Sequence, residues 1–241
     1  MDVGGTGRDR RRAATIAEIK SAARLQLIEG GAAAVGLRAV ARRLGLTPPA
    51  LYRYFDSHDA LMTALISDLY DELTGVLEEI RDGDPDADVG TRLYLVAAGL
   101  RIWALGHPAE FGLMFGTPVP DPLALNHQQR PDHQAAMRFG AVFKELVAQV
   151  WAQQPFPCPS DNDLGPVLLK QLRQRSEYFE GMPPGAIYLA LNFWTRLYGL
   201  ICMEAFGQLH WALDDAGAYF EAQMLEMGEA LGLDCPPPDW E

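Results

Sequence analysis

Between Arg38 and His58 the chain concentrates groups able to hold an anion or read a base edge: Arg38, Arg42, Arg43, Thr47, Tyr52, Arg53, Tyr54 and His58. Arginine presents a rigid fork of donors that suits a phosphate or the O6 and N7 acceptors of guanine. Thr and Tyr hydroxyls suit phosphate oxygens, which carry no sequence information. Pro48, Pro49 and Ala50 stand among them and have no polar side-chain atom. They can touch only a thymine methyl or set the distance of approach. Elsewhere the chain holds no Gly-x-Ser-x-Gly, no His-Glu-x-x-His, no P-loop and no Gly-x-Gly-x-x-Gly, so no catalytic constellation is expected. His127 and His133 lie six apart across a proline-bearing stretch, a poor spacing for metal ligands. No cofactor or metal is expected.

The charge along the 241 residues is divided unevenly. The net charge is −12, yet residues 1–53 hold ten Lys and Arg against four Asp and Glu, a balance of +6. The remainder holds ten against 28, a balance of −18. A basic first fifth on an acidic body fits a protein that meets a polyanion at one end only. A solvated basic helix beside an ordinary acidic surface would give the same numbers. The three cysteines, Cys158, Cys202 and Cys235, form no Cys-x-x-Cys pair, a sparse, odd count that fits a reducing compartment. The basic N-terminus lacks the apolar core of a secretory signal, and the most apolar stretch, Gly181 to Thr195, is short and carries two prolines. No membrane span is expected, and the expected location is cytoplasmic.

The elements that must position these residues read as helices throughout, since no segment alternates as a strand would. Residues 1–9 are Gly-rich and read as a flexible segment. A helix over about 10–29 carries Ile16, Ile19, Ala23 and Leu27 and stops at Gly30-Gly31. Leu37, Val40, Ala41 and Leu44 mark one short helix ended by Gly45. Thr47-Pro48 starts a second, with Thr47 as its cap, running to Phe55. Leu51 and Phe55 face inward, which leaves Pro49, Ala50, Tyr52 and Arg53 outward. Two short helices joined by a glycine turn are a helix-turn-helix, and a helix held this way fits the DNA major groove. A generic helical hairpin shares the spacing. Ser57 can cap a long helix carrying Leu61, Leu65, Leu69 and Leu73, and the acidic run Asp82 to Asp88 reads as a loop. Further helices are expected at about 89–106, 108–115, 132–153, 163–180, 185–208 and 214–231.

Residues 36–61, GLRAVARRLGLTPPALYRYFDSHDAL, closely resemble the DNA-binding domain of the TetR family of bacterial transcriptional regulators. Leu-Tyr-x-x-Phe at 51–55 after the Gly-x-Thr-x-x turn is the most specific part. Residues 103–116 and 197–206 are similar, more loosely, to the ligand-binding domain of one subgroup. The resemblance implies an all-α fold. An N-terminal three-helix domain over 10–75, its helix-turn-helix at about 36–55, would be joined by a long fourth helix to an effector-binding and dimerisation domain over 76–233, with a tail at 234–241. It implies a homodimer that binds a palindromic operator on double-stranded DNA and is released by a small molecule. Thr47 and Tyr52 would contact phosphate, Arg38 and Arg43 the backbone, and Pro48, Pro49, Ala50, Arg53 and Tyr54 bases or sugars. Arg10-Arg11-Arg12 would be an arm into a neighbouring groove, or a charged helix start. Two positions depart from the family's pattern: Gly36 stands where a capping Thr or Ser is usual, and His58 where Lys is usual. At Gly36 the contact would be lost or fall to the backbone N–H, and His58 would gain a proton near phosphates.

In the C-terminal body, Trp103, Phe111, Met114, Phe115, Phe139, Phe143, Trp194 and Tyr198 fall at helical spacing. They serve either as core or as the walls of a pocket for an apolar or aromatic effector. Arg101, Arg138, Asn192 and Arg196 lie near these stripes and could anchor a ligand or form ion pairs. The last two helices carry small residues that allow close approach, and the resemblance makes them the dimer element. A second reading, a helical effector-binding or interaction protein whose helix-turn-helix no longer binds DNA, is favoured by Gly36 and His58. Arg38, Thr47, Tyr52 and Arg53 oppose it.

Overall fold

The computed structural model describes residues 7–116 and 127–233, and those residues form helices and turns with no strand among them. The order is α1 (Gly7–Gly30), α2 (Leu37–Arg43), α3 (Pro48–Leu51), α4 (His58–Asp82), α5 (Val89–Gly106), α6 (Pro108–Phe115), α7 (Pro131–Gln153), α8 (Pro166–Arg173), α9 (Pro184–Ala205) and α10 (Gly217–Ala230). Single 3-10 turns occupy Ala32–Ala34 and His127–Gln129. Residues 7–9, expected to be flexible, are the first residues of α1. The tail beyond 233 lies outside the described residues.

The chain divides into two compact units, Met1–Glu72 with His107–Met137, and Leu73–Gly106 with Arg138–Glu241. The expected single boundary near residue 75 is therefore crossed twice more, because α6 belongs with the N-terminal helices. In the first unit α1 packs against α2 and α6. Ile19, Ala23, Leu27, Val40, Leu51, Leu61, Leu65 and Leu69 form its core. Ser57 Oγ accepts the Ala60 N–H at 3.0 Å and caps α4.

One ion cluster ties three elements of this unit. Arg24 on α1 donates to Glu72 on α4 at 2.6 and 3.0 Å and to Glu110 on α6 at 3.1 Å. These bonds, Glu72 first, raise the Arg24 guanidinium above its ordinary range. Glu110 is only 3% exposed, and Arg24 supplies its ion pair.

In the second unit α9 packs against α5, α8 and α10. Gly185 is required at its start: a Cβ there would lie 2.0 Å from the Pro159 carbonyl oxygen. Asp88 caps α5 by accepting from the Thr91 N–H at 3.0 Å and hydroxyl at 2.6 Å, which holds its carboxyl below the usual range. By length and composition alone α9 is long and apolar enough to cross a membrane. Its buried stripe of Gly185, Ala186, Ile187, Ala190, Phe193, Leu197, Leu200 and Ile201, and Arg196 paired with Glu226 at 2.7 Å, are features of a core helix. Helix α8 is shorter than the expected 163–180, because residues 174–181 leave the helix as turns.

Arg24→Met is expected to destabilise the protein by about 2–3 kcal/mol, since it leaves the Glu110 carboxylate buried without its cation. The further change Glu110→Gln should recover most of that loss. Urea unfolding of the two variants against the wild type checks both.

Candidate nucleic-acid interface and effector cleft

Helix α2 ends in a two-bond closure: Leu46 N–H reaches the Ala41 carbonyl at 2.9 Å and Gly45 N–H the Arg42 carbonyl at 3.3 Å. Gly45 takes φ +65°, the left-handed position this closure needs. The turn delivers Thr47 to the N-cap of α3. Leu51 is fully buried and Phe55 nearly so, and Phe55 N–H bonds the Leu51 carbonyl at 3.1 Å. Thr47, Pro48, Pro49, Tyr52 and Arg53 are exposed, Tyr52 by 48%.

The start of α3 differs from the expected anion site. Thr47 makes no side-chain capping bond. Pro48 and Pro49 have no N–H to offer. The next two, those of Ala50 and Leu51, both donate to the Thr47 carbonyl, at 2.9 and 3.2 Å. Neither N–H of the first helical turn is left over for an anion, while the Thr47 hydroxyl makes no capping bond.

The remaining expected contacts sort themselves by what already holds them. Arg38 and Arg42 are exposed and have no partner among the described residues. Arg43 instead makes a two-bond pair with Glu29 at 2.7 and 2.8 Å, which raises its guanidinium and lowers the Glu29 carboxyl. Arg12 is not a free arm: its guanidinium lies 5.3 Å from the Tyr54 ring centre and donates to the Arg53 carbonyl at 3.4 Å. Tyr54 is half-buried beneath it. Ala50 is half-buried as well. The Gly36 N–H, expected to stand in for a missing hydroxyl, donates to Gln26 Oε1 at 3.3 Å. His58 Nε2 lies 3.0 Å from the Val35 carbonyl. A carbonyl only accepts, so Nε2 carries the proton, and Nδ1 gains a donor only when the ring is doubly protonated.

The eight aromatic and methionine residues are divided between the two units. Phe111, Met114 and Phe115 lie on α6 in the first unit, where Phe115 meets Phe111 at 4.7 Å and Tyr70 at 5.5 Å between ring centres. Trp103 is buried on α5. Phe139, Phe143, Trp194 and Tyr198 do assemble in the second unit. Trp194 lies 5.8 Å from Phe139, 5.4 Å from Phe143 and 6.1 Å from Tyr198. Burial, more than the neighbouring Cys202 thiol, pushes the Tyr198 hydroxyl up to about 12. Phe143 and Trp194 open onto a cleft of about 210 Å³, lined also by Val147, Phe179, Phe193 and Leu191. Tyr178 and Lys144 complete its rim. Sequence periodicity missed Tyr178, Phe179 and Lys144, because the first two lie in turns after α8 and Lys144 falls off the apolar stripe. Of the candidate anchors, Arg101 is taken by Glu204 at 2.5 and 2.7 Å and Arg196 by Gln223 and Glu226.

Residues 19–65 match the family described as bacterial regulatory proteins, tetR family. Residues 93–227, more than half of the chain, match the tetracyclin repressor-like C-terminal domain. The chain belongs to the TetR family. HTH-type transcriptional regulators of Mycobacterium bovis and Mycobacterium tuberculosis are 31% identical to this TetR-family chain over 210 residues, 86% of it and 88% of theirs. The crystal structure of a regulatory protein, SCO4313, is 33% identical, with a TM-score of 0.70 over 92% of this chain and 98% of that one. A protein of unknown function from Rhodococcus sp. RHA1 shares the fold at 18% identity, with a TM-score of 0.65 over 91% and 95% of the two chains. The TetR-family assignment makes the chain a transcriptional regulator rather than an enzyme.

Glu29→Gln is expected to free Arg43 for phosphate. DNA affinity should rise for all sequences alike, and the slope of log affinity against log salt should steepen by about 1. Fluorescence anisotropy titrations at several salt concentrations give both quantities.

Proposed function

We propose that this regulator is a cytoplasmic repressor that binds a palindromic operator as a homodimer and is released by a small apolar or aromatic effector. One observation carries the DNA-reading part: α3 buries Leu51 and Phe55 while Thr47, Pro48, Pro49, Tyr52 and Arg53 stand in solvent as one surface. Arg53 is the base reader, with Pro49 and Ala50 setting the approach. Tyr52, Thr47 and Arg38 hold phosphates. Arg43 and His58 are conditional contacts, the first on losing Glu29 and the second on protonation. Tyr54 supports Arg53 through Arg12 rather than touching a base.

The dimer is supported by the outer faces of α9 and α10 and the segment between them. Met203, Phe206 and Tyr219 are exposed there, and Trp211 is 85% exposed. Large apolar side chains grouped in this way favour burial against a second copy. The effector is assigned to the cleft between Phe143 and Trp194. It acts by binding the form that does not fit the operator more tightly than the form that does.

Selection from random DNA tests the reading head. The expected product is a pseudo-palindrome with half-sites about one helical turn or slightly more apart. Arg53→Ala should cost roughly 1–3 kcal/mol and relax one position per half-site. Tyr52→Phe should weaken all sequences about equally. Recovery of no site would leave the alternative, an effector-binding protein with a silent helix-turn-helix. Sedimentation at micromolar concentration should show a dimer, and Phe206→Glu should shift it to monomer.

A further inference from the structure

The cleft in the second unit is apolar around most of its wall, with one cation at its rim. Lys144 follows Phe143 on α7, and its side chain is only 17% exposed. Its ammonium lies 5.3 Å from the Tyr178 ring centre and donates to Glu180 Oε1 at 3.0 Å. We propose that the cleft takes a small aromatic carboxylate whose anionic group replaces Glu180 at Lys144. This rests on the assignment of the effector to this cleft and narrows it to a chemical class.

Three features favour the exchange. Glu180 is a weakly held partner: its side chain is 53% exposed, so water competes for it and the pair contributes little. Its backbone is also strained. Gly181 N–H bonds the Ser176 carbonyl at 2.8 Å and Glu180 N–H the Glu177 carbonyl at 3.1 Å. That closure puts Glu180 in the left-handed position that glycine usually takes, at φ +56°, the one such non-glycine among the described residues. A ligand carboxylate seated among Phe143, Phe179 and Trp194 would meet the same ammonium with less water around it, where the attraction is stronger. The volume, about 210 Å³, lies below the range of drug-sized pockets, about 300–1,000 Å³. It suits one or two rings. Tyr178 and Phe179 line the cleft beside Glu180, so release of Glu180 changes the wall itself.

The test uses the full chain and two probes of nearly one shape, 2-naphthoate and 2-naphthylmethanol, titrated by calorimetry at low salt. The acid should bind at least tenfold more tightly than the alcohol. In Lys144→Met that advantage should vanish, the acid then binding no more tightly than the alcohol. In Lys144→Arg, which keeps the charge if Met disturbs the fold, it should persist. In Glu180→Gln the acid should bind several-fold tighter still, since its competitor is gone. Equal binding of acid and alcohol, with Trp194→Leu weakening both, would overturn the charge-specific proposal and leave the effector cleft standing. Binding of neither probe would overturn both.

Discussion

A helix of four residues has no stability of its own, because nucleation costs more than one or two hydrogen bonds return. Everything that makes α3 a usable surface must therefore come from outside it. The Gly45 closure fixes where it starts, Leu51 and Phe55 sink its inner side into the first unit, and Arg12 covers Tyr54 and holds the Arg53 carbonyl from α1. The two prolines serve the same end. They fix φ in the first turn at the loss of two donors, so the element is pre-shaped while its anion-binding terminus is given up.

The basic balance of the first 53 residues overstates the charge offered outward. Lys20 pairs with Asp68, Arg24 with Glu72 and Glu110, and Arg43 with Glu29. Those cations are spent inside the unit. Arg8, Arg10, Arg11, Arg38, Arg42 and Arg53 remain exposed. Selectivity over plain electrostatic adhesion gains from this, since fewer phosphates can be neutralised without regard to sequence.

Local chemistry in the sequence marked most helix ends. Gly45, Thr47-Pro48, Ser57, Pro108 and Pro184 lie where helices stop or start, and each acts on its immediate neighbours. The loss of the α3 terminus as an anion site was also readable from Pro48-Pro49, since proline has no N–H whatever the fold. Pairings between distant residues were not readable. Nothing near Arg24 points to Glu110, 86 residues on, and nothing near Gly36 points to Gln26 as its acceptor. Periodicity showed that Phe111 and Phe143 face inward. It could not show that one serves the first unit and the other a cleft in the second, because it reports the buried side of a helix and not what the helix is buried against.

The first unit is not a contiguous stretch of chain, since α6 returns to pack on α1. A hybrid regulator could be made by splicing this reading head onto another protein's sensor at a single point. A splice within α4 here would transplant Arg24 without Glu110, and Tyr70 without the Met114 carbonyl that accepts its hydroxyl at 3.4 Å. The recipient's own α6 would then press on a surface it did not evolve with. The unit of exchange in this protein is therefore two segments of chain, and its modularity is spatial rather than linear.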